Sequence, residues 1–419
     1  MKHHEPTIGD PDAPVLIAGG GIGGLTLALA LHRAGIACIV YEVVAEPRPL
    51  GVGINLMPSA VKILVELGLQ PFFDDVAVEP SRLRYANKFG QLVWEEPRGR
   101  AAGYDYPQLS VHRGKLQILL LEEVRRRLGE RSFVGGKRVA RYANADRAVR
   151  VFFDDSGTAS GRALVGCDGL HSAVRRQMVP DEGAPRESGR ILWRAVTRAR
   201  PFLDGRTMLT AGHEYQKFVC YPLSRTDADG TSLLNWVVRL HWPAGETRPA
   251  WTHDMTPARL AAVFARWNFG WLDVPDVIAN AQFLQEHPMA DRDPLDRWTD
   301  GRVTLLGDAA HPMYPIGSNG ATQAIIDAHA LAAALAREPD AERALQTYER
   351  LRRDAANAVV LANRRNGPDQ VLQLAEDRAP QGFARIEDVI TREELAQCTA
   401  SYQRIAGFTR EAVNQEVRA

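Results

Sequence analysis

Val15 to Ala18 form an unbroken apolar run ahead of a string of glycines, and beyond it Leu25, Leu29 and His32 recur at helical spacing. Cys38 to Tyr41 are apolar again, so the stretch ending at Glu42 predicts strand, turn, helix and strand, a βαβ unit. A second helix is predicted from Pro58 to Leu67: Pro58 suits a first turn, Val61, Leu64 and Val65 share a face, and Gly68 stops it. A third follows Arg113, with Leu116, Leu120, Val124 and Leu128 spaced by four and Gly129 at the end. Between about 180 and 290 the texture becomes short alternating segments such as FVCYPL and LLNWVVRLHW, rich in aromatics and separated by turn signals such as DADG, which predicts a mostly antiparallel sheet. From Arg302 a buried strand returns in RVTLLGDAA, then an alanine-rich helix from about Asn319 to Arg337 and an amphipathic one from about Ala341 to Asn363. The tail beyond Pro368 reads as helical at ITREELAQC, where Thr391 and Glu394 suit a capping box.

Gly19-Gly20-Gly21-Ile22-Gly23-Gly24 satisfies G-x-G-x-x-G directly after a strand and at the opening of a helix, and Glu42 ends the next strand about twenty residues on. A glycine at 19 permits the tight turn, one at 21 lets backbone approach a pyrophosphate, and one at 24 lets helix pack closely on strand. The helix start supplies free N–H groups to phosphate oxygens, and Glu42 can accept hydrogen bonds from ribose hydroxyls. The motif leaves FAD and NAD both open. No second G-x-G-x-x-G follows a strand, so a nicotinamide cofactor is expected to bind transiently.

The chain has 419 residues, enough for two to three domains or one composite fold. Lys+Arg 51 against Asp+Glu 51 leaves no net charge, which disfavours nucleic-acid binding by bulk electrostatics. Cys38, Cys167, Cys220 and Cys398 form no CxxC pair, which argues against a disulfide scaffold, a zinc knuckle or an iron–sulfur site, and no metal is expected. The segment MKHHEPTIGDPDAP is polar and no apolar run is long enough for a bilayer, so a cytoplasmic protein without a membrane partner is expected.

Two later segments each follow an apolar strand: ALVGCDGLHSAVRRQM, with Cys167, Asp168, Gly169, Ser172 and Arg175, and RVTLLGDAAHPMYPIGSNGATQAI, with Gly307, Asp308, Pro315, Gly317, Asn319 and Gly320. With the glycine turn, in this order, they resemble the fingerprints of the single-component flavin-dependent aromatic hydroxylases, the para-hydroxybenzoate hydroxylase superfamily. PLGVGIN, YPQLSVHRGKLQ, WRAVT, NWVV and MADRDPL look like its branch of 5-methylphenazine-1-carboxylate monooxygenases, over Pro14 to about Asn363. The branch usually carries Gly where this chain has Ala195, and the tail past Asn363 finds no clear counterpart.

The resemblance implies an α/β fold. A Rossmann-like FAD-binding domain (14–75, 106–180 and 290–337) is interleaved with a mostly antiparallel substrate domain (76–105 and 181–289), and a helical region (338–419) follows. It implies non-covalent FAD, with NAD(P)H and O2 as co-substrates. FAD contacts are expected from Gly19, Gly21, Ile22, Gly23, Gly24, Glu42, Asp168 and Gly307. Gly53 would approach the ring by its backbone, Arg113 the diphosphate or ribityl region, and Val139 would hold adenine by main-chain bonds. Asp308 would accept from the ribityl chain, while Gly317, Asn319, Gly320 and Ala321 would lie along the flavin and aim a helix start at its N1/O2 edge.

In this architecture an aromatic-rich sheet roofs the flavin, so Phe218, Tyr221 and Trp236, with Arg194 and Pro315, are expected to line the substrate pocket. His213 and Tyr215 are the catalytic candidates, His213 because its unperturbed pKa lies nearest neutrality. The implied reaction takes hydride from NADH or NADPH, binds O2 at flavin C4a and hydroxylates a planar aromatic carboxylate or N-heteroaromatic, with or without loss of CO2. The partner is thus a small aromatic molecule, and the protein is expected to be a monomer or homodimer. An FAD dehydrogenase or oxidase without oxygen insertion, and a noncatalytic flavin-binding protein, are the alternatives.

Overall fold

Two large sheets of opposite character share the chain, and a computed structural model describes residues 13–49, 51–73, 77–241 and 253–415 of it. The first has six strands in the order Thr299–Asp300, Val303–Leu305, Ala163–Gly166, Val15–Ala18, Cys38–Glu42 and Phe133–Gly135. All its pairs are parallel except that of the short Thr299–Asp300 edge. Val15–Ala18 and Ala163–Gly166 are buried at every position, as a parallel strand covered on both faces must be. Helices Ile22–Arg33, Arg113–Leu128 and Gly320–Arg337 supply the cover and share its core.

The second sheet has seven strands in the order Gln285–Asp291, Arg186–Ala199, Ser232–His241, Gln216–Pro222, Thr207–Gly212, Arg82–Ala86 and Leu92–Pro97. All pairs are antiparallel except Thr207–Gly212 with Arg82–Ala86. Segment 82–97 therefore completes a sheet whose other strands come a hundred residues later in the chain. Two smaller three-stranded sheets adjoin.

Helices Pro257–Val263 and Val274–Ala279 interrupt a region that the alternation had predicted as sheet. Thr256 and Asp273 cap them, each followed by a proline in the first turn. They press Leu260, Phe264, Val277 and Ile278 onto one face of the seven-stranded sheet. Past Arg364 the tail is built into the body. Helix Gln370–Arg378 packs Val371, Leu372 and Ala375 against Leu83, Tyr85 and Tyr221. Helix Arg392–Ile405 begins with the Thr391–Glu394 capping box. Among the described residues no helix is long and apolar enough to cross a membrane.

Candidate active site

The glycine turn shows why each glycine is there. Gly19 has φ +112°, and a Cβ on it would lie 2.4 Å from the Cys167 carbonyl oxygen. A Cβ on Gly24 would lie 2.1 Å from the Gly19 carbonyl oxygen, so helix and strand could not close. At Gly21 the same Cβ would project into open space. Gly21 is the N-cap of helix Ile22–Arg33 with no side-chain cap, and with Ile22 and Gly23 it lines a large cavity, so the free N–H groups and positive end of the helix serve that cavity. Glu42 closes the turn, accepting from the N–H groups of Gly20 (2.6 Å) and Val44 (2.8 Å).

A second helix start reaches the same cavity. Gly320 and Ala321, first residues of helix Gly320–Arg337, line it together with Asn319, Gly317 and Pro315. Asp308 opens into it with no hydrogen-bond partner among the described residues. Desolvation raises the pKa of its carboxyl, with His311 and Arg113 pulling the other way. The loop that carries it is pinned from behind. His311 Nε2 lies 2.5 Å from Asp327 Oδ2, Gly307 N–H donates to the same oxygen at 3.2 Å, and Arg352 donates to Oδ1 at 2.8 Å. Burial pushes Asp327 up, but the interactions with His311 and Arg352 outweigh it and hold its carboxyl below the usual range. Arg175, almost fully buried, donates to the carbonyls of Ala309, Ala310 and Asp293 and pairs with Glu182, tying the first loop to the second. Tyr402 lies over Gly317, where a Cβ would come within 2.3 Å of the phenol oxygen. That oxygen accepts from Asn319 Nδ2 (2.7 Å) and donates to Asn363 Oδ1 (2.6 Å).

The cavity, about 660 Å³, lies between this loop system and the seven-stranded sheet. The sheet meets it with every second residue: Leu192 and Arg194, Val237 and Arg239, Lys217, Val219 and Tyr221, Met208 and Thr210. The residues between them face the helices instead, and this corrects four sequence expectations. Phe218 and Trp236 are fully buried in the core with Phe264, the indole N–H of Trp236 donating to Thr197 Oγ1 at 2.9 Å, so neither lines the pocket. His213 and Tyr215 lie where the chain turns between Thr207–Gly212 and Gln216–Pro222, outside the cavity wall, because a hairpin turn carries its side chains past the sheet edge. Tyr215 is exposed and stacks on His241 at 5.3 Å. His287 is the histidine that does line the cavity; burial, then Arg194 and Arg113, keep its pKa below the ordinary value.

Other expected contacts fall just outside the wall. Gly53 donates its N–H to Asn235 Oδ1 at 2.6 Å, and a Cβ there would strike Leu223 and Asn235, while Gly51 and Val52 line the cavity. Asp168 accepts from Ser172 Oγ (2.5 Å) and Ala173 N–H (2.8 Å) at the start of a short helix, between the lining residues Cys167 and Gly169. Val139 is buried at the start of strand Val139–Ala145. Sequence reasoning missed part of the wall: Lys217 paired with Asp369 at 2.6 Å, Arg239 beside it, and Tyr402, Gln403 and Phe408 from the tail.

Two unfilled helix starts, open glycine surfaces at Gly21 and Gly320 and an unpartnered carboxylate at Asp308 suit an elongated cofactor with a diphosphate and a polyhydroxyl chain. The chain matches the FAD binding domain family over residues 12–363. It is 43% identical over 402 residues to the phenazine 1,6-dicarboxylic acid hydroxylase PhzS of Lysobacter antibioticus, covering 93% of this chain and 96% of that one. It is 33% identical to 3-hydroxybenzoate 6-hydroxylase 1 of Aquipseudomonas alcaligenes, covering 81% and 84%. The fold matches Klebsiella pneumoniae HpxO complexed with FAD and uric acid at TM-score 0.72 and 27% identity, covering 96% and 95%. The protein belongs to the FAD-dependent aromatic hydroxylases. It is a flavoprotein monooxygenase that uses FAD, with NAD(P)H and O2 as co-substrates.

Proposed function

We propose that this monooxygenase hydroxylates a planar, multi-ring aromatic carboxylate of the phenazine carboxylate class, in the cytoplasm, as a monomer or homodimer. The observation that carries the reading is the cavity floor, an apolar strip of Val219 and Val237 with Arg194 beside it in the same row across the strands. A flat ring gains van der Waals contact on such a strip, and a guanidinium on its rim suits a carboxylate. The 43% identity to a phenazine 1,6-dicarboxylic acid hydroxylase points the same way. The four cysteines are free thiols, in keeping with a reducing compartment.

FAD, when bound, supplies the O2 activation that delivers one oxygen atom to the ring. The chain's own residues hold and order the reactants. Asp308 would accept from the ribityl hydroxyls, the starts of helices Ile22–Arg33 and Gly320–Arg337 would face the diphosphate and the flavin edge, and Arg113 would offset phosphate charge. Arg194, whose pKa burial lowers while Tyr221 opposes the shift, would orient the substrate. The walls of Leu192, Met289, Ile316 and Phe408 exclude water. His287, whose pKa is lowered by burial and then by Arg194 and Arg113, is the group placed to take up a proton from a hydroxylated ring.

The test is to supply the FAD-loaded protein with NADH or NADPH, 18O2 and a panel of phenazine carboxylates, hydroxybenzoates and uncharged phenols, following product mass. One 18O in a phenazine carboxylate product is expected. Turnover confined to nonplanar or aliphatic compounds would overturn the reading.

A further inference from the structure

On the cavity floor, Arg239 stands directly across from Lys217 on the neighbouring strand. Both side chains are almost completely buried, 4% and 3% exposed, and both line the cavity. Lys217 Nζ is paired with Asp369 at 2.6 Å, and Arg190 with Glu214. The two nearby acids are thus taken, and Nε and Nη2 of Arg239 have no hydrogen-bond partner among the described residues. A buried guanidinium left in that state is costly to the folded protein unless an anion arrives to meet it.

The strand register fixes what lies beside it. Arg239 pairs with Leu192, two residues from Arg194, and Lys217 is two residues from Val219. One row of the floor is therefore Leu192, Arg239 and Lys217, and the adjacent row is Arg194, Val237, Val219 and Thr210. Rows on one sheet face lie about 7 Å apart along the strands. A ring lying on Val237 and Val219 thus has one edge within reach of Arg239.

We infer that Arg239 and Lys217 form a second anion-binding subsite, which takes a carboxylate on the substrate edge away from Arg194 and so selects dicarboxylates. This rests on the cavity's being the substrate site proposed above. The guanidinium offers a planar fork matched to a carboxylate, and Lys217, steadied by Asp369, adds a point charge to the same oxygens. Burial, with the charge of Arg239 next in size, lowers the Lys217 pKa to about 7 against the pull of Asp369, and a bound anion would oppose that repulsion.

The experiment is calorimetric titration of the FAD-loaded protein with phenazine-1,6-dicarboxylate, phenazine-1-carboxylate and unsubstituted phenazine. Wild type is expected to bind the dicarboxylate about tenfold to hundredfold more tightly than the monocarboxylate, the range for charge-assisted hydrogen bonds. Arg239→Gln is expected to abolish that preference while keeping flavin content and affinity for the monocarboxylate, and Arg239→Lys to restore part of it. In turnover the loss should fall on KM rather than kcat. Equal wild-type affinity for dicarboxylate and monocarboxylate overturns the subsite without any need for a folded variant, as does a preference that survives Arg239→Gln. Binding of none of the three rings by wild type would instead overturn the substrate reading, and the subsite with it.

Discussion

The two faces of the seven-stranded sheet are made by the same strands, yet they do opposite things. On one, Trp193, Phe218 and Trp236 meet Leu260, Phe264 and Ile278, and polar atoms are paired within the protein: the Trp193 indole reaches Glu286 at 3.0 Å and Trp236 reaches Thr197. On the other, the alternate residues are Arg194, Lys217, Arg239 and Tyr221, with guanidinium nitrogens that have no partner among the described residues. A face finished by the chain's own helices is structural, whereas a face left polar and unfinished is completed by ligands.

The comparison breaks most visibly at Trp236. Trp236→Ala should lower stability by about 3–5 kcal/mol. The thermal midpoint should fall with and without FAD, while ring affinity of the folded protein stays within about twofold. A large loss of affinity at unchanged midpoint would mean the closed face is not merely structural. Asp308→Ala is the converse. Because no group among the described residues hydrogen-bonds that carboxylate, the apoprotein midpoint should hardly move, while FAD binding weakens by about a hundredfold in fluorescence titration, two charge-assisted bonds being lost. Unchanged flavin affinity would make Asp308 a turn residue only.

A smaller effect sharpens the open face by pH. Lys217, surrounded by Arg239, Arg190 and Asp369, has a pKa of about 7, below its ordinary value, so it loses its charge as pH rises through neutrality. The dissociation constant of a phenazine dicarboxylate should therefore rise about threefold to tenfold between pH 6 and pH 8. The same measurement in Lys217→Met should be flat. The smallest effect belongs to the hairpin end: His213→Gln and Tyr215→Phe should leave kcat and KM within about twofold, and a tenfold loss in either would return those residues to the chemistry.

How far the sequence foretold this differs between the sheets. Around Val15–Ala18 the signals are local: an apolar strand, glycines at 19, 21 and 24, and Glu42 at the end of the next strand lie within thirty residues. The floor is another matter. In Gln216–Pro222 both parities carry large apolar or aromatic residues, so alternation alone does not say that Tyr221 faces the cavity and Phe218 the core. What decides it is the packing of helices Pro257–Val263 and Val274–Ala279, whose capping signals at Thr256 and Asp273 were present but were absorbed into a sheet prediction. The Lys217–Asp369 pair spans 152 positions, a separation at which no motif spacing operates. Tyr402 and Phe408 were invisible for the same reason, since only the fold brings the tail back to Gly317.

That return has a consequence for how the protein is made. The glycine turn near residue 20 emerges first from a ribosome, but the wall over the flavin loop is finished only by Tyr402, hydrogen-bonded to Asn319 and Asn363, and by Phe408 beyond it. Domains fold as units, the earlier one first during synthesis. The parallel sheet and the cofactor loop are complete only once Val303–Leu305 and helix Gly320–Arg337 have followed, and one side stays open until Tyr402 and Phe408 arrive. Cofactor capture and completion of the dry chamber are separated in time, and damage confined to helix Arg392–Ile405 and the residues after it would yield a yellow protein that holds its flavin in an unfinished room.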